Sequence, residues 1–162
     1  MAIRITLNKI KLVRESSHLY DIDRRSIHAP EDAVNIINTV LGLNEEAQEV
    51  VCALYLTTAN TIAGIQELYR GTLNASFINP KEVFKAALLH NAASLILCHN
   101  HPSGEPKPGH DDLQATDSLR KGLKCLDINL LDHVILGEKT YFSFVYEVER
   151  KYPRNHGKAH RS

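Results

Sequence analysis

The stretch SLILCHNHPSGEPKPGHDDLQAT, residues 94–116, decides how this chain folds. It opens with an apolar run, residues 95–98, that is too short for a helix and is bounded by turn residues, which predicts a short buried strand. His99 and His101 follow, with one residue between them. On an extended chain residues i and i+2 project from the same face, so the two imidazoles can reach one point while Asn100 turns the other way.

A loop rich in proline and glycine comes next and can continue neither a strand nor a helix. Its residues of this kind are Pro102, Gly104, Pro106, Pro108 and Gly109. The loop leads to Asp111 and Asp112, which we expect in the first turn of a helix, where the helix N-terminus favours a carboxylate. The apolar face of this helix should recur every three or four residues, at Leu113, Thr116, Leu119, Leu123 and Leu126.

Two imidazoles and one carboxylate are a typical ligand set for a catalytic zinc ion, which keeps its fourth position for water. His99, His101 and Asp112 therefore form a candidate metal site. A closed structural site would use four protein ligands, and the three cysteines of the chain are too scattered to form the usual pairs. The alternative is that both histidines are polar loop residues and that Asp112 is only a first-turn carboxylate.

These residues also carry a resemblance to a known family. The string His99-Asn-His101-Pro-Ser-Gly, the spacing from His101 to Asp112 and the downstream Leu-Leu-Asp132-His133 are similar to the RadC family, the bacterial branch of the JAB/MPN/JAMM metalloprotease-like domains. Further matching segments extend the resemblance over about residues 28–145. They are Leu68-Tyr-Arg-Gly-Thr-Leu-Asn74 and Asn79-Pro-Lys-Glu-Val-Phe84.

The resemblance implies a zinc ion held by His99, His101 and Asp112, and a catalytic glutamate that works through water on the metal. The matching position for the glutamate is Glu49, because it stands directly before an apolar strand, as the glutamate of the family does. Glu82 is its rival, but a role at the start of a helix explains that residue without any chemistry.

One position departs from the family pattern. JAMM enzymes carry a serine three residues before the aspartate, which stabilises the oxyanion, and here that position is Gly109. As a helix cap, glycine in place of serine costs only a few tenths of a kcal/mol. The loss of an oxyanion donor typically costs about 10²–10³ in rate. Ser103 and a backbone N–H are the candidates to replace it.

Length and composition set the broad class. With 162 residues, 43% of them hydrophobic, the chain has room for one globular domain with a core. It has no apolar run near the roughly 18 residues of a membrane span and no signal-like N-terminus, and its cysteines suit a reducing compartment, so we expect a cytoplasmic protein. Nineteen basic and nineteen acidic residues leave no net charge, which argues against nucleic acid as a partner.

The rest of the chain supplies a layered frame. We expect a single domain over residues 1–149, in which residues 3–13 form an amphipathic edge strand and a polar connection follows to residue 27. Pro30 should begin a helix that Gly42 ends. The apolar run at 50–56 predicts a central strand covered on both faces, paired as a hairpin with residues 61–70.

The C-terminal third completes the predicted elements. Asn79 and Pro80 mark a further helix start, and residues 128–136 and 140–145 flank a turn, which predicts a second hairpin. In that hairpin His133 beside Asp132 could orient a metal ligand, or His133 could be an ordinary strand histidine. Residues 150–162 should be a basic, disordered tail.

The fold class that follows is α/β, because helices alternate with buried strands and the hairpins make the sheet mixed. The resemblance implies a curved sheet sandwiched by helices, MPN/JAMM-like, with the layering of cytidine deaminases. The leading hypothesis is a zinc-dependent hydrolase of amide bonds with a peptide or protein substrate. A catalytically silent MPN-type interaction module is the alternative, and a DNA-binding repair protein a weaker one, because the helix-hairpin-helix region of longer RadC proteins is not apparent.

Overall fold

A computed structural model describes residues 9, 11–20, 26–71 and 78–153. In this part of the chain three α-helices alternate with strands. The helices are α1 (Pro30–Leu41), α2 (Pro80–Leu89) and α3 (His110–Cys125). The strands are β1 (Glu49–Leu56), β2 (Ile62–Gly71), β3 (Ser94–Asn100), β4 (Asn129–Leu136), β5 (Thr140–Ser143) and β6 (Val148–Lys151).

The strands form one mixed sheet in the order β2-β1-β3-β4-β5-β6. β1 runs antiparallel to both β2 and β3, whereas β3 and β4 are parallel. β4, β5 and β6 continue as antiparallel neighbours. This arrangement confirms the mixed α/β fold and both predicted hairpins, β1–β2 and β4–β5.

Helices cover both faces of the sheet, as the apolar run at 50–56 predicts. Alternate residues of β1, from Val50 to Leu56, join α1 in one buried cluster. The intervening residues, from Val51 to Tyr55, pack with α2 and α3 on the other face. Residues of β3 divide in the same way, so the central strands are buried on both sides.

The helix boundaries follow the local signals in the sequence. Pro30 is the first residue of α1, and Gly42 ends it with a left-handed backbone at φ 63°. Asn79 caps α2 through its side-chain oxygen, which accepts from the Lys81 N–H at 3.1 Å. Glu82 forms an ion pair with Lys85 (2.5 Å) on the same helix.

Three expectations need correction or lie outside the described residues. Leu113 is 51% exposed, because it lies about 90° around α3 from the centre of the buried face, which Asp112, Thr116, Leu119 and Leu123 form. The predicted tail does not begin at residue 150, since Arg150 and Lys151 belong to β6. The strand predicted for residues 3–13 falls mainly on residues that are not described, and residues 9 and 11–13 are exposed with no strand.

Two further observations concern the cysteines and the helices. Cys52 and Cys98 are buried neighbours on β1 and β3, while Cys125 is exposed at the end of α3. Within the described ranges, none of the helices has the length and apolarity to cross a membrane.

Candidate metal centre

The two histidines stand at the C-terminal end of β3. His99 is in register with Val51 of β1 and Ile135 of β4, and it is fully buried. His101 follows the last strand residue, and its N–H donates to the carbonyl of Leu136 at 2.8 Å, which extends the pairing with β4 by one bond. Because residues i and i+2 of an extended chain share a face, both imidazoles project toward α3.

The loop after His101 is held against the β4–β5 turn. Gly104 has a left-handed backbone at φ 85°, and its carbonyl accepts from the Glu138 N–H at 2.9 Å. A Cβ on Gly137 would overlap the Gly104 carbonyl oxygen, so the close approach of the two backbones requires glycine there. This contact fixes the path that the chain takes from β3 to α3.

Asp112 occupies the third position of α3, with Gly109 as the N-cap. Its Oδ2 accepts from the Gly109 N–H at 2.8 Å, and only 11% of its side chain is exposed. The helix therefore begins with a carboxylate held by its own cap, as the acidic first turn predicts.

His99, His101 and Asp112 converge on one point. The Nε2 atoms of the two histidines lie 3.0 Å apart. His99 Nε2 lies 3.2 Å from Asp112 Oδ1, and His101 Nε2 lies 3.5 Å from Asp112 Oδ2. One ligand atom from each of the three residues can be chosen so that all lie within 4.8 Å of one another. The predicted triad is thus assembled as the spacing suggests.

The residues of the cluster shift one another's pKa values. Burial would raise the pKa of Asp112, but the adjacent imidazoles of His101 and His99 and the hydrogen bond from the Gly109 N–H outweigh it and hold the pKa well below its usual range. Burial lowers the pKa of His101, yet its hydrogen bonds to Asp112 and to the Glu105 carbonyl raise it on balance. The site therefore stabilises positive charge beside an ionised carboxylate.

The donor set fits a divalent ion such as zinc. The outer nitrogens of both imidazoles are engaged elsewhere, since His99 Nδ1 lies 2.8 Å from His133 Nε2 and His101 Nδ1 lies 2.9 Å from the Glu105 carbonyl. The inner Nε2 atoms are left to face each other and Asp112. Ligand atoms around a tetrahedral zinc ion are about 3.3 Å apart, given metal–ligand distances of about 2.0–2.1 Å. The observed separations of 3.0, 3.2 and 3.5 Å bracket that value.

Glu49 begins β1 on the sheet face that carries His99. Continuing the antiparallel register from Val51 and His99 sets Glu49 opposite His101. The residue is half-buried, and its carboxylate contributes electrostatically to the raised pKa of His101. Glu82, the rival glutamate, lies on α2 with its carboxylate paired to Lys85.

Asn100 is a positioning residue that sequence reasoning did not identify. Its Oδ1 accepts from the Val50 N–H at 2.8 Å, and its Nδ2 donates to the carbonyls of Glu46 and Gln48 at 3.0 and 2.9 Å. The side chain does turn away from the two histidines, as predicted. It thereby ties the segment before β1, and with it Glu49, to the end of β3.

The remaining predicted residues separate into two groups. His133 contacts His99 directly, whereas Asp132 belongs to the opposite sheet face, where it accepts from Ser143 Oγ at 2.6 Å and Val145 N–H at 3.1 Å. Burial raises the pKa of Asp132 and strongly lowers that of His133. Ser103 is exposed, and its hydroxyl accepts from the Glu105 N–H.

A cavity of about 250 Å³ lies on the same face of the sheet as the triad. Val51, the strand partner of His99, forms part of its wall. Most of the lining is apolar and includes Leu68, Ile78 and Val83. An apolar space therefore adjoins the strand that carries Glu49.

Comparison with known proteins agrees with this geometry. A family model described as a RadC-like JAB domain matches residues 27–151. A UPF0758 protein of Halalkalibacterium halodurans is 42% identical over 134 residues, which cover 83% of this chain and 57% of that protein. Similar proteins of the same name occur in Pseudomonas syringae (47% identical over 103 residues, 64% of this chain and 46% of that protein) and Methanosarcina mazei (38% over 133 residues, 82% and 57%). The chain spans about half the length of these relatives.

Proposed function

Because the chain belongs to the RadC family of JAB domains, we propose that it is a zinc-dependent hydrolase of amide bonds, a peptidase or isopeptidase. The observation that carries the proposal is the convergence of His99, His101 and Asp112, whose ligand atoms lie within 4.8 Å of one another. Three protein ligands leave one position of a tetrahedral ion open, which is the pattern of catalytic rather than structural zinc.

The residues of the site have distinct tasks in this reaction. His99, His101 and Asp112 hold the ion, which when bound lowers the pKa of a water ligand to about 7 and polarises a substrate carbonyl. Glu49 takes the proton of the attacking water and passes it to the nitrogen of the leaving amine. Its position at the start of β1, opposite His101, supports this role, because a general base must be within reach of the water.

The apolar cavity beside Val51 supports a peptide or protein as the substrate. A cavity of about 250 Å³ is large enough for one apolar side chain, and it adjoins the strand from which Glu49 projects. A substrate that places such a side chain there would be anchored on the sheet face that bears the triad.

The experiment measures zinc and hydrolysis together. The purified protein should contain close to one zinc ion per chain, and His101→Ala and Asp112→Ala should lose it. Glu49→Gln should keep the zinc but no longer cleave a peptide library that is read by mass spectrometry, while Glu45→Gln, at a nearby exposed glutamate, should behave as wild type. Cleavage by Glu49→Gln at the wild-type rate would refute Glu49 as the base.

Gly109 favours a second candidate, a metal-binding interaction module without catalysis. No hydroxyl is available at this position, and the Gly109 N–H is already bonded to Asp112 Oδ2. Missing one oxyanion donor typically costs about 10²–10³ in rate. Stoichiometric zinc without any cleavage of the library would favour this candidate over the hydrolase.

A further inference from the structure

A series of buried hydrogen bonds connects His99, on the side of its ring that faces away from the triad, to the backbone carbonyl of Asp112. His99 Nδ1 lies 2.8 Å from His133 Nε2, and His133 Nδ1 lies 2.6 Å from Thr116 Oγ1. Thr116 Oγ1 in turn lies 2.6 Å from the backbone carbonyl of Asp112, one helical turn earlier. Thr116 is 2% exposed and His133 0%, so water does not compete for these groups.

The Asp112 carbonyl, at the end of this series of hydrogen bonds, determines which atom donates in each of them. A carbonyl can only accept, so the single hydroxyl hydrogen of Thr116 points to Asp112. Thr116 Oγ1 must then accept from Nδ1–H of His133. Because His133 is fully buried, the neutral ring is favoured, and its Nε2 is then left as an acceptor. The Nδ1 of His99 therefore carries the hydrogen that it donates to His133, and in the neutral ring this leaves Nε2 as a lone pair.

His101 reaches the same state by a shorter route. Its Nδ1 lies 2.9 Å from the Glu105 carbonyl, which again can only accept, so this nitrogen also carries a hydrogen. With both rings neutral, as metal binding requires, the two inner nitrogens are lone pairs that lie 3.0 Å apart and next to a carboxylate. Such a group of acceptors is matched by a cation between them.

We propose that Thr116 and His133 are positioning residues that hold His99 in its metal-binding tautomer and couple it to Asp112 through one hydroxyl. A metal-bound histidine commonly donates its other N–H to a carboxylate or carbonyl. Here a second histidine takes that place and must itself be oriented, which is the task of Thr116. Phe144 stacks on the His133 ring, with centroids 4.7 Å apart and planes at 11°, and restrains its rotation.

The first test measures zinc affinity by competition with a chelator. Removing an outer partner of a metal ligand typically weakens affinity roughly 10–100-fold, so Thr116→Val should show a loss of that size. Thr116→Ser retains the hydroxyl and should stay within about threefold of wild type. Ser143→Ala is the matched control, because it removes an equally buried hydroxyl bond on the opposite sheet face and should leave affinity unchanged. Wild-type affinity in Thr116→Val would overturn the proposal.

The second test needs neither metal nor a variant. In the zinc-free protein, nitrogen-15 NMR of the imidazoles should show a hydrogen on Nδ1 and none on Nε2 for both His99 and His133. The opposite tautomer at His133 would overturn the proposal even if the protein binds zinc. The proposal rests on the proposed function for the identity of the ion alone. Wild-type protein that binds no zinc but shows these tautomers would therefore refute the hydrolase proposal and support the positioning role of Thr116 and His133.

Discussion

Asn100 is the residue on which the placement of Glu49 depends, and its removal gives the sharpest test of the fold around the site. Its side chain is 2% exposed and makes three hydrogen bonds to the backbone of residues 46, 48 and 50. Asn100→Ala leaves these backbone groups without their partner, including the buried Val50 N–H. We therefore expect a general loss of stability, and a specific loss of order at the start of β1.

The magnitude follows from the three bonds. A protein hydrogen bond contributes about 1 kcal/mol net, so Asn100→Ala should lower the free energy of unfolding by about 3 kcal/mol. The control is Asn38→Ala, because the Asn38 side chain accepts one part-buried bond, from the Asn44 N–H at 3.2 Å. Alanine is also favoured inside a helix, so this variant should change stability by about 1 kcal/mol or less.

Urea unfolding followed by circular dichroism measures both variants. The midpoint of Asn100→Ala should fall well below that of Asn38→Ala, with a similar slope. If the hydrolase proposal is right, cleavage by Asn100→Ala should also fall by more than its zinc affinity, because Glu49 shifts while the triad remains. A loss of stability no larger than in Asn38→Ala would refute the role assigned to Asn100.

Three further predictions concern other contacts. Gly137→Ala should destabilise the protein by about 1–3 kcal/mol in urea unfolding, because the alanine Cβ would overlap the Gly104 carbonyl. A stability equal to wild type would show that the two backbones can separate freely. Although burial raises the pKa of Glu31, hydrogen bonds from Tyr141 and Arg150 lower it on balance. The ionised carboxylate therefore stabilises the folded protein above pH 4.5, and this stabilisation is lost as the pH falls through the lowered pKa. Glu31→Gln should therefore cost about 1 kcal/mol at pH 7 and progressively less below pH 4.5, and a gap that stays constant with pH would contradict this. Gly109→Ser should fold normally, because a Cβ there meets Asp112 Oδ2 at 3.4 Å, an ordinary contact, and in peptide-cleavage assays it should raise the rate if a missing oxyanion donor limits it.

The sequence was sufficient where local chemistry decides the structure. The apolar run before His99, the alternation of the two histidines and the proline-rich loop were enough to predict β3, the shared face and the acidic start of α3. Each of these features depends on residues within about twenty positions of one another. The resemblance to RadC domains supplied Glu49, which local patterns alone favoured only by its position before a strand.

What could not be predicted depends on pairings distant in sequence. His133 lies 34 residues from His99 and Asn100 lies 50 from Val50, and no local pattern reveals either hydrogen bond. Asp132 and His133 were predicted as one candidate pair, but neighbours on a strand project to opposite faces, and only His133 contacts the triad. β6 was missed because its charged residues, Glu149 to Lys151, match a solvated tail as well as an edge strand.

The most direct test of the central claim is to crystallise the protein with zinc and collect anomalous diffraction data at the zinc absorption edge. We expect one peak of near-full occupancy, bonded to Nε2 of His99, Nε2 of His101 and the carboxylate of Asp112. An empty site among these three side chains in zinc-saturated crystals would contradict it.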